Sequence, residues 1–115
     1  MLQVVYCNHQ TATLSVREKL AFSVEKLQQA YAELRQRFPL SEAVVLSTCN
    51  RVELYVASEQ TSECPSHHDM VSFLAEFHGL DPVEVFNDLF ERTGEDFDAP
   101  QIVTEYFEEL YAEEE

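Results

Sequence analysis

Glycine and long apolar segments are scarce in this chain of 115 residues, which contains only Gly79 and Gly94. Two isolated glycines cannot form a glycine-rich loop around a phosphate, so the sequence does not support a nucleotide- or nicotinamide-binding fold. No apolar run approaches the roughly 20 residues that a membrane helix needs. The N-terminus also lacks a basic segment followed by an apolar one, so no secretory signal is visible and we expect a cytoplasmic protein without a membrane partner.

Cysteine is present in an odd number, as Cys7, Cys49 and Cys64. An odd number of cysteines favours free thiols in a reducing compartment over a disulfide framework. Two spacings, Cys7-x-His9 and Cys64-x-x-His67, resemble fragments of metal sites, but each lacks a second pair of ligands. We therefore expect no bound metal.

Basic residues are few, and the formal net charge is -15. The imbalance lies almost entirely in one half of the chain, because residues 1–57 carry +1 and residues 58–115 carry −16. The second half would repel a phosphate backbone, so we expect any RNA contact on the first half. The simpler interpretation of the acidic half is a solvated surface with a charged tail.

Hydrophobic periodicity predicts the element order β-α-β-β-α-β, which is the split βαβ, or ferredoxin-like, arrangement. The predicted fold class is thus α+β, an antiparallel sheet with helices on one face. Helix starts are predicted at a Ser15–Glu18 capping box, at Ser23, at Ser66 and at Asp81. The predicted strands cover residues 2–6, 43–49, 51–57 and 86–91.

This strand order brings several polar residues to one end of the sheet. The first two strands run parallel with the third between them, so their carboxyl ends lie where the third strand begins. We expect Asn8, His9, Cys49 and Arg51 to cluster there.

The segment Ser47–Arg51 is the strongest candidate for an active site, because it places Cys49 between two strand-like runs and beside an amide and a guanidinium. A thiol in that setting suits nucleophilic attack on a carbonyl next to a charged group, and a nearby cation favours the thiolate. His9 is a possible base or hydrogen-bond donor.

Each of these residues also has a purely structural interpretation. Cys49 can pack as a small apolar side chain, buried at the end of a strand, and Arg51 can be a surface cation paired with Glu53 or Glu42. Asn50 can be a turn residue, since asparagine tolerates left-handed backbone, and Thr48 a plain strand residue. His9 can be a loop histidine bonded to its own backbone.

Three segments, NHQTAT at 8–13, VREKL at 16–20 and VLSTCNRVELY at 45–55, resemble the N-terminal catalytic domain of glutamyl-tRNA reductase. The resemblance covers residues 1–96. The chain departs from the family pattern at Thr13, where proline is usual, and at Val52, where threonine is usual.

The resemblance implies a concrete mechanism. The Cys49 thiolate attacks the ester of glutamyl-tRNA and forms a thioester, which NADPH reduces to glutamate-1-semialdehyde at the start of tetrapyrrole (porphyrin) biosynthesis by the 5-aminolevulinate, five-carbon route. Thr48, Asn50 and Arg51 fall on the family's substrate-contacting motif, and a guanidinium fork suits the glutamate carboxylate. The NADPH site of the family has no counterpart in this chain.

Residues 97–115 do not resemble the family, which continues with a histidine-containing helix, an NADPH domain and a dimerisation domain. No histidine follows His78. We therefore expect a truncated or reframed reductase, or a stand-alone relative that does not complete the reaction alone.

Two alternative functions remain open. In the first, the domain is a non-catalytic binding or regulatory module, and an acidic helix over residues 101–111 either docks on a partner, such as a separate reductase half, or covers core surface. In the second, the chain is a thiol redox protein, which is disfavoured because no second cysteine lies close to Cys49 in the sequence.

Overall fold

The sheet and helices described below come from a computed structural model that describes residues 1–93, so the predicted tail 97–115 and its helix 101–111 lie outside the described residues. The elements, in chain order, are β1 (Leu2–Asn8), α1 (Leu14–Leu20), α2 (Val24–Arg37), β2 (Ser41–Ser47), β3 (Arg51–Ser58), α3 (His67–Phe77), α4 (Pro82–Val85) and β4 (Phe90–Thr93). No helix within residues 1–93 is long and apolar enough to cross a membrane.

The four strands form one sheet in the order β2-β3-β1-β4. Every neighbouring pair is antiparallel, so β1 and β2 run parallel to each other on either side of β3. This is the predicted ferredoxin-like topology, and it is confirmed. The carboxyl ends of β1 and β2 therefore lie beside the start of β3, as Asn8 opposite Arg51 and Ser47 opposite Val52 show.

The hydrophobic core lies between one face of the sheet and the helices. Alternate residues of β3 point into it, because successive side chains of a strand face opposite sides. The fully buried strand residues pack with buried helix residues in one cluster, whose members include Val5, Cys7, Val52, Leu54, Val56, Ala30, Leu34, Met70, Phe73 and Leu74. Leu27 and Tyr31 of α2 pack against this cluster while remaining partly exposed.

The outer edge of β2 is covered at its centre by Tyr31 of α2. The Tyr31 hydroxyl accepts a hydrogen bond from the backbone N–H of Val45 at 2.9 Å and lies 3.3 Å from the Val45 carbonyl oxygen, to which it donates. Nearer the carboxyl end of the strand, the Phe22 N–H donates to Ser47 Oγ at 2.9 Å. These bonds tie the start of α2 and its middle to the edge strand.

Most of the predicted helix boundaries are confirmed. Ser23 caps α2, Ser66 and Asp69 form a capping box at α3, and Asp81 caps α4. Gly79 follows α3 with a φ of 70°, a left-handed conformation that favours glycine.

The predicted capping box of the first helix is wrong. The cap is Thr13, whose hydroxyl oxygen accepts a hydrogen bond from the Val16 N–H, and the helix begins at Leu14. The turn after β1 already ends at Ala12, whose N–H donates to the Asn8 carbonyl, so the next extended residue, Thr13, takes the cap position.

Several strand boundaries also differ from the prediction. β1 continues to Asn8 instead of ending at residue 6, and β2 begins at Ser41 instead of at residue 43. β2 ends at Ser47, two residues before Cys49, so the cysteine lies in the turn and not in the strand. β4 begins at Phe90, because a 3-10 turn over Phe86–Asp88 occupies the first part of the segment that was predicted as a strand.

Candidate active site

A tight turn between β2 and β3 carries Cys49 and Asn50 at its tip. The Thr48 N–H donates to the Arg51 carbonyl at 2.8 Å and closes the turn. The Thr48 hydroxyl oxygen accepts from the N–H groups of Asn50 and Arg51, both at 3.2 Å. Thr48 therefore builds the turn that presents the cysteine. No residue other than glycine has a positive φ within residues 1–93, so Asn50 is not needed for left-handed backbone.

The three cysteines lie in different environments. Cys49 is exposed, Cys64 is half-buried and Cys7 is fully buried at the end of β1. Burial raises the pKa of the Cys7 thiol to about 11, with the nearby charge of Arg17 opposing the shift. Cys7 is thus a neutral core residue at neutral pH, and Cys49 is the thiol that a large substrate can reach. The alternative in which Cys49 packs inside the protein is wrong.

Arg17 of α1 reaches this turn, a contact that sequence reasoning missed. Its Nη1 donates to the carbonyl oxygen of Cys49 at 2.8 Å, although the two residues are 32 positions apart. Its Nε is buried and has no hydrogen-bond partner among the described residues. The only sequence signal was that Arg17 lies in the VREKL segment, one of the three that resemble the family.

Arg51 lies two residues after the cysteine and is the first residue of β3. Its Nη1 is 3.2 Å from Glu53 Oε1, and Arg51 and Glu53 are only 8% and 6% exposed. The Tyr55 hydroxyl donates to the other carboxylate oxygen of Glu53. Arg51 is therefore a buried cation held by Glu53 beside the turn, so the expected pairing with Glu53 is confirmed and the expected surface position is wrong.

His9 lies next to the same end of the sheet. It is exposed and follows Asn8, which pairs with Arg51 across the strands. The Asn8 side-chain oxygen organises this loop by accepting from the N–H groups of Gln10 and Thr11 at 2.9 and 3.1 Å. Among residues 1–93 no hydrogen bond joins His9 to Cys49.

The histidines at the start of α3 do not join this site. His68 is exposed, and His67 is half-buried, with its Nδ1 3.6 Å from a Glu91 oxygen. The ring of Phe86 packs against His67 with ring centroids 5.4 Å apart.

Comparison with known proteins identifies the family. Residues 5–99 match the family model described as "Glutamyl-tRNAGlu reductase, N-terminal domain". The chain belongs to this family.

The chain is 40% identical over 95 residues to a glutamyl-tRNA reductase of Shewanella baltica, which covers 83% of this chain and 21% of the relative. It is 42% identical over 90 residues to that of Marinobacter nauticus, covering 77% of this chain and 20% of the relative. A solved structure, the glutamyl-tRNA reductase from Methanopyrus kandleri, matches with a TM-score of 0.53 and 25% identity over 83% of this chain and 19% of that one. The chain thus spans about one fifth of the length of these relatives.

Residues 1–93 show neither of two features of a dinucleotide-binding fold, a sheet of parallel neighbouring strands and a glycine-rich turn. The sheet is antiparallel throughout, and Gly79, after α3, is the sole glycine in residues 1–93. Dinucleotide folds bind the pyrophosphate at a glycine-rich turn between a parallel strand and a helix. Within the same residues no group of three or more histidine, cysteine or acidic side chains is arranged to hold a metal ion.

Proposed function

We propose that this domain performs the acyl-transfer step of a glutamyl-tRNA reductase, with Cys49 as the nucleophile. The observation that carries the proposal is the exposed thiol at the tip of the β2–β3 turn, within a chain that belongs to the reductase N-terminal family. Cys7 is buried and Cys64 lies beyond the far end of β3, so neither competes for this role.

The proposed step begins with the Cys49 thiolate and the ester carbonyl of glutamyl-tRNA. A bond forms between Sγ and the carbonyl carbon, and the bond from that carbon to the ribose oxygen breaks. The tRNA leaves with a ribose hydroxyl after taking up a proton, and glutamate stays on the enzyme as a thioester. In this chain water then attacks the thioester, which releases glutamate and restores the thiol.

The neighbouring residues have distinct proposed roles. Arg51 is a buried guanidinium that Glu53 holds in place, and we assign it the carboxylate of the glutamyl group, which suits a guanidinium fork. The Thr48 oxygen accepts two backbone bonds, and its hydroxyl proton is a donor for the substrate. Asn50 is at the tip beside the thiol and supplies an amide for the polar groups of the substrate.

For the complete reductase we propose that hydride from NADPH reduces the thioester to glutamate-1-semialdehyde for tetrapyrrole synthesis. The support for this part is the family resemblance and the names of the longer relatives. None of the steps assigned to residues 1–93 runs through NADPH.

The test is glutamate release from glutamyl-tRNA by the purified 115-residue chain in the absence of NADPH. We expect release by the wild type and by Cys64→Ser, and loss of at least about 100-fold in Cys49→Ser. Cys64→Ser is the matched control, because it makes the same chemical change at a half-buried thiol remote from the turn.

Equal release by Cys49→Ser would contradict the assignment of the nucleophile. No release by a folded wild type would reject the catalytic proposal and favour the alternative of a binding module. Mass spectrometry of acid-quenched samples adds an independent measurement, since the glutamyl thioester should add its mass to the peptide that contains Cys49.

A further inference from the structure

We propose that Arg17 is a positioning residue for the nucleophile, because its guanidinium holds the carbonyl of Cys49 and so sets the direction of the thiol. This inference rests on the proposed function of Cys49. Arg17 does not need to touch the substrate in this role. It acts through the backbone of the turn.

Within residues 1–93, the bond from Arg17 is the one side-chain hydrogen bond that reaches residues 48–50 from another element. The other hydrogen bonds of residues 48–50 stay inside the turn, between Thr48 and the backbone of Asn50 and Arg51. Arg17 Nη1 donates to the Cys49 carbonyl oxygen at 2.8 Å. The tip of the turn is therefore joined to the helical layer through this guanidinium.

The position of the guanidinium suits a structural anchor. Arg17 is half-buried and its Nε lies inside the protein. Its charge also opposes the rise in the pKa of the Cys7 thiol, a core residue of β1. A bond from a charged donor is stronger than a neutral one, and fixing the Cys49 carbonyl restricts the rotation that would swing Cβ and Sγ away.

The effect should appear in turnover more than in substrate binding. A displacement of about 1 Å at a reacting group can cost on the order of 100-fold in rate. For Arg17→Met, which keeps volume without a donor, we expect kcat of glutamate release to fall about 10- to 100-fold and KM to change less than about 3-fold. Lys19→Met on the exposed side of α1 removes the same charge and should leave kcat unchanged.

Rescue separates positioning from a general loss of structure. Arg17→Lys retains a charged donor and should recover part of kcat, and added methylguanidinium should partly restore Arg17→Ala but not Arg17→Met. The alkylation of Cys49 by iodoacetamide should stay within about 3-fold of wild type, since a small reagent does not need the thiol in one direction. A wild-type kcat in Arg17→Met, or a loss that neither lysine nor methylguanidinium relieves, would overturn the proposal.

The two proposals fail in different ways. If the wild-type chain releases no glutamate, the catalytic function is rejected. The role of Arg17 is then tested by the stability of the turn between β2 and β3. Hydrogen exchange of the Asn50 amide, which donates to Thr48, should then be about 10-fold faster in Arg17→Met than in Lys19→Met. Equal exchange in the two variants would reject the anchor whatever the activity.

Discussion

The two faces of β3 differ in what they bury. Val52, Leu54 and Val56 face the helices, and each is 0% exposed in an apolar cluster. Arg51 and Glu53 point to the opposite face, where they form a buried ion pair that the Tyr55 hydroxyl joins. Apolar burial stabilises a fold directly, whereas a buried ion pair often contributes little or nothing net. The helix-covered face of the strand therefore serves stability, and we expect the ion pair on the other face to add little to it.

Removing a side chain from the helix-covered face should have the largest effect on stability. We expect Leu54→Ala to lower the free energy of unfolding by about 3–4 kcal/mol, because it removes buried methyl groups and leaves a cavity. Urea titration followed by circular dichroism measures the change. The control is Val44→Ala, on the opposite face of the sheet and 51% exposed, for which a change below about 0.5 kcal/mol is expected. Similar losses in the two variants would remove the distinction between the faces.

Breaking the ion pair should cost slightly less than the core cavity. Arg51→Met leaves the Glu53 carboxylate buried without its cation, so we expect a loss of about 3 kcal/mol. The double variant Arg51→Met/Glu53→Leu should recover to within about 1 kcal/mol of wild type, since it removes both buried charges together. A double variant as unstable as the single one would show that the pair itself stabilises the fold, contrary to the contrast between the two faces.

The third prediction concerns His78, a titratable group that packs among aromatic side chains of the helical layer. His78 packs against Phe22 and Phe77 with ring centroids at 4.5 and 5.2 Å. Burial lowers the pKa of His78 from 6.5 to about 4, with the charge of Lys26 adding to the shift and the backbone at Leu20 opposing it. The unfolded chain therefore binds a proton at a higher pH than the folded chain does.

The stability contribution of neutral His78 is present above pH 6.5 and is lost as pH falls towards 4. After a discount for partial exposure, we expect a loss of roughly 2 kcal/mol over that window. Urea titrations at several pH values should show this slope in the wild type and in the control His68→Gln, and a smaller slope in His78→Gln. The same slope in His78→Gln would assign the acid sensitivity to other groups.

Local patterns in the sequence predicted most of the architecture. The alternation in β3, the helical spacing in α2 and the caps at Ser23 and Ser66 are short-range features, because the residues that satisfy them are close in sequence. The clustering of Asn8, Cys49 and Arg51 followed from strand order, which the observed register confirms for Asn8 and Arg51. The cap at Thr13 was missed because Ser15 and Glu18 offered a competing local pattern.

The candidate site was only partly accessible to such reasoning. Thr48, Cys49, Asn50 and Arg51 are consecutive, so one motif brought them together. The contact from Arg17 to the Cys49 carbonyl and the exposure of Cys49 both depend on how α1 packs beside the turn. Neither periodicity nor composition encodes such a contact. The roles of Cys49, Thr48, Asn50 and Arg51 in catalysis stay predictions.

The bonds between Tyr31 and Val45 affect whether a strand of another molecule can pair with the edge strand β2. β2 is an edge strand, and an edge strand normally presents unpaired N–H and C=O groups that can template another strand. At Val45 both groups are already satisfied by one phenol hydroxyl. A second strand could add there only by displacing Tyr31, so the middle of this edge is protected against the backbone pairing that begins aggregation.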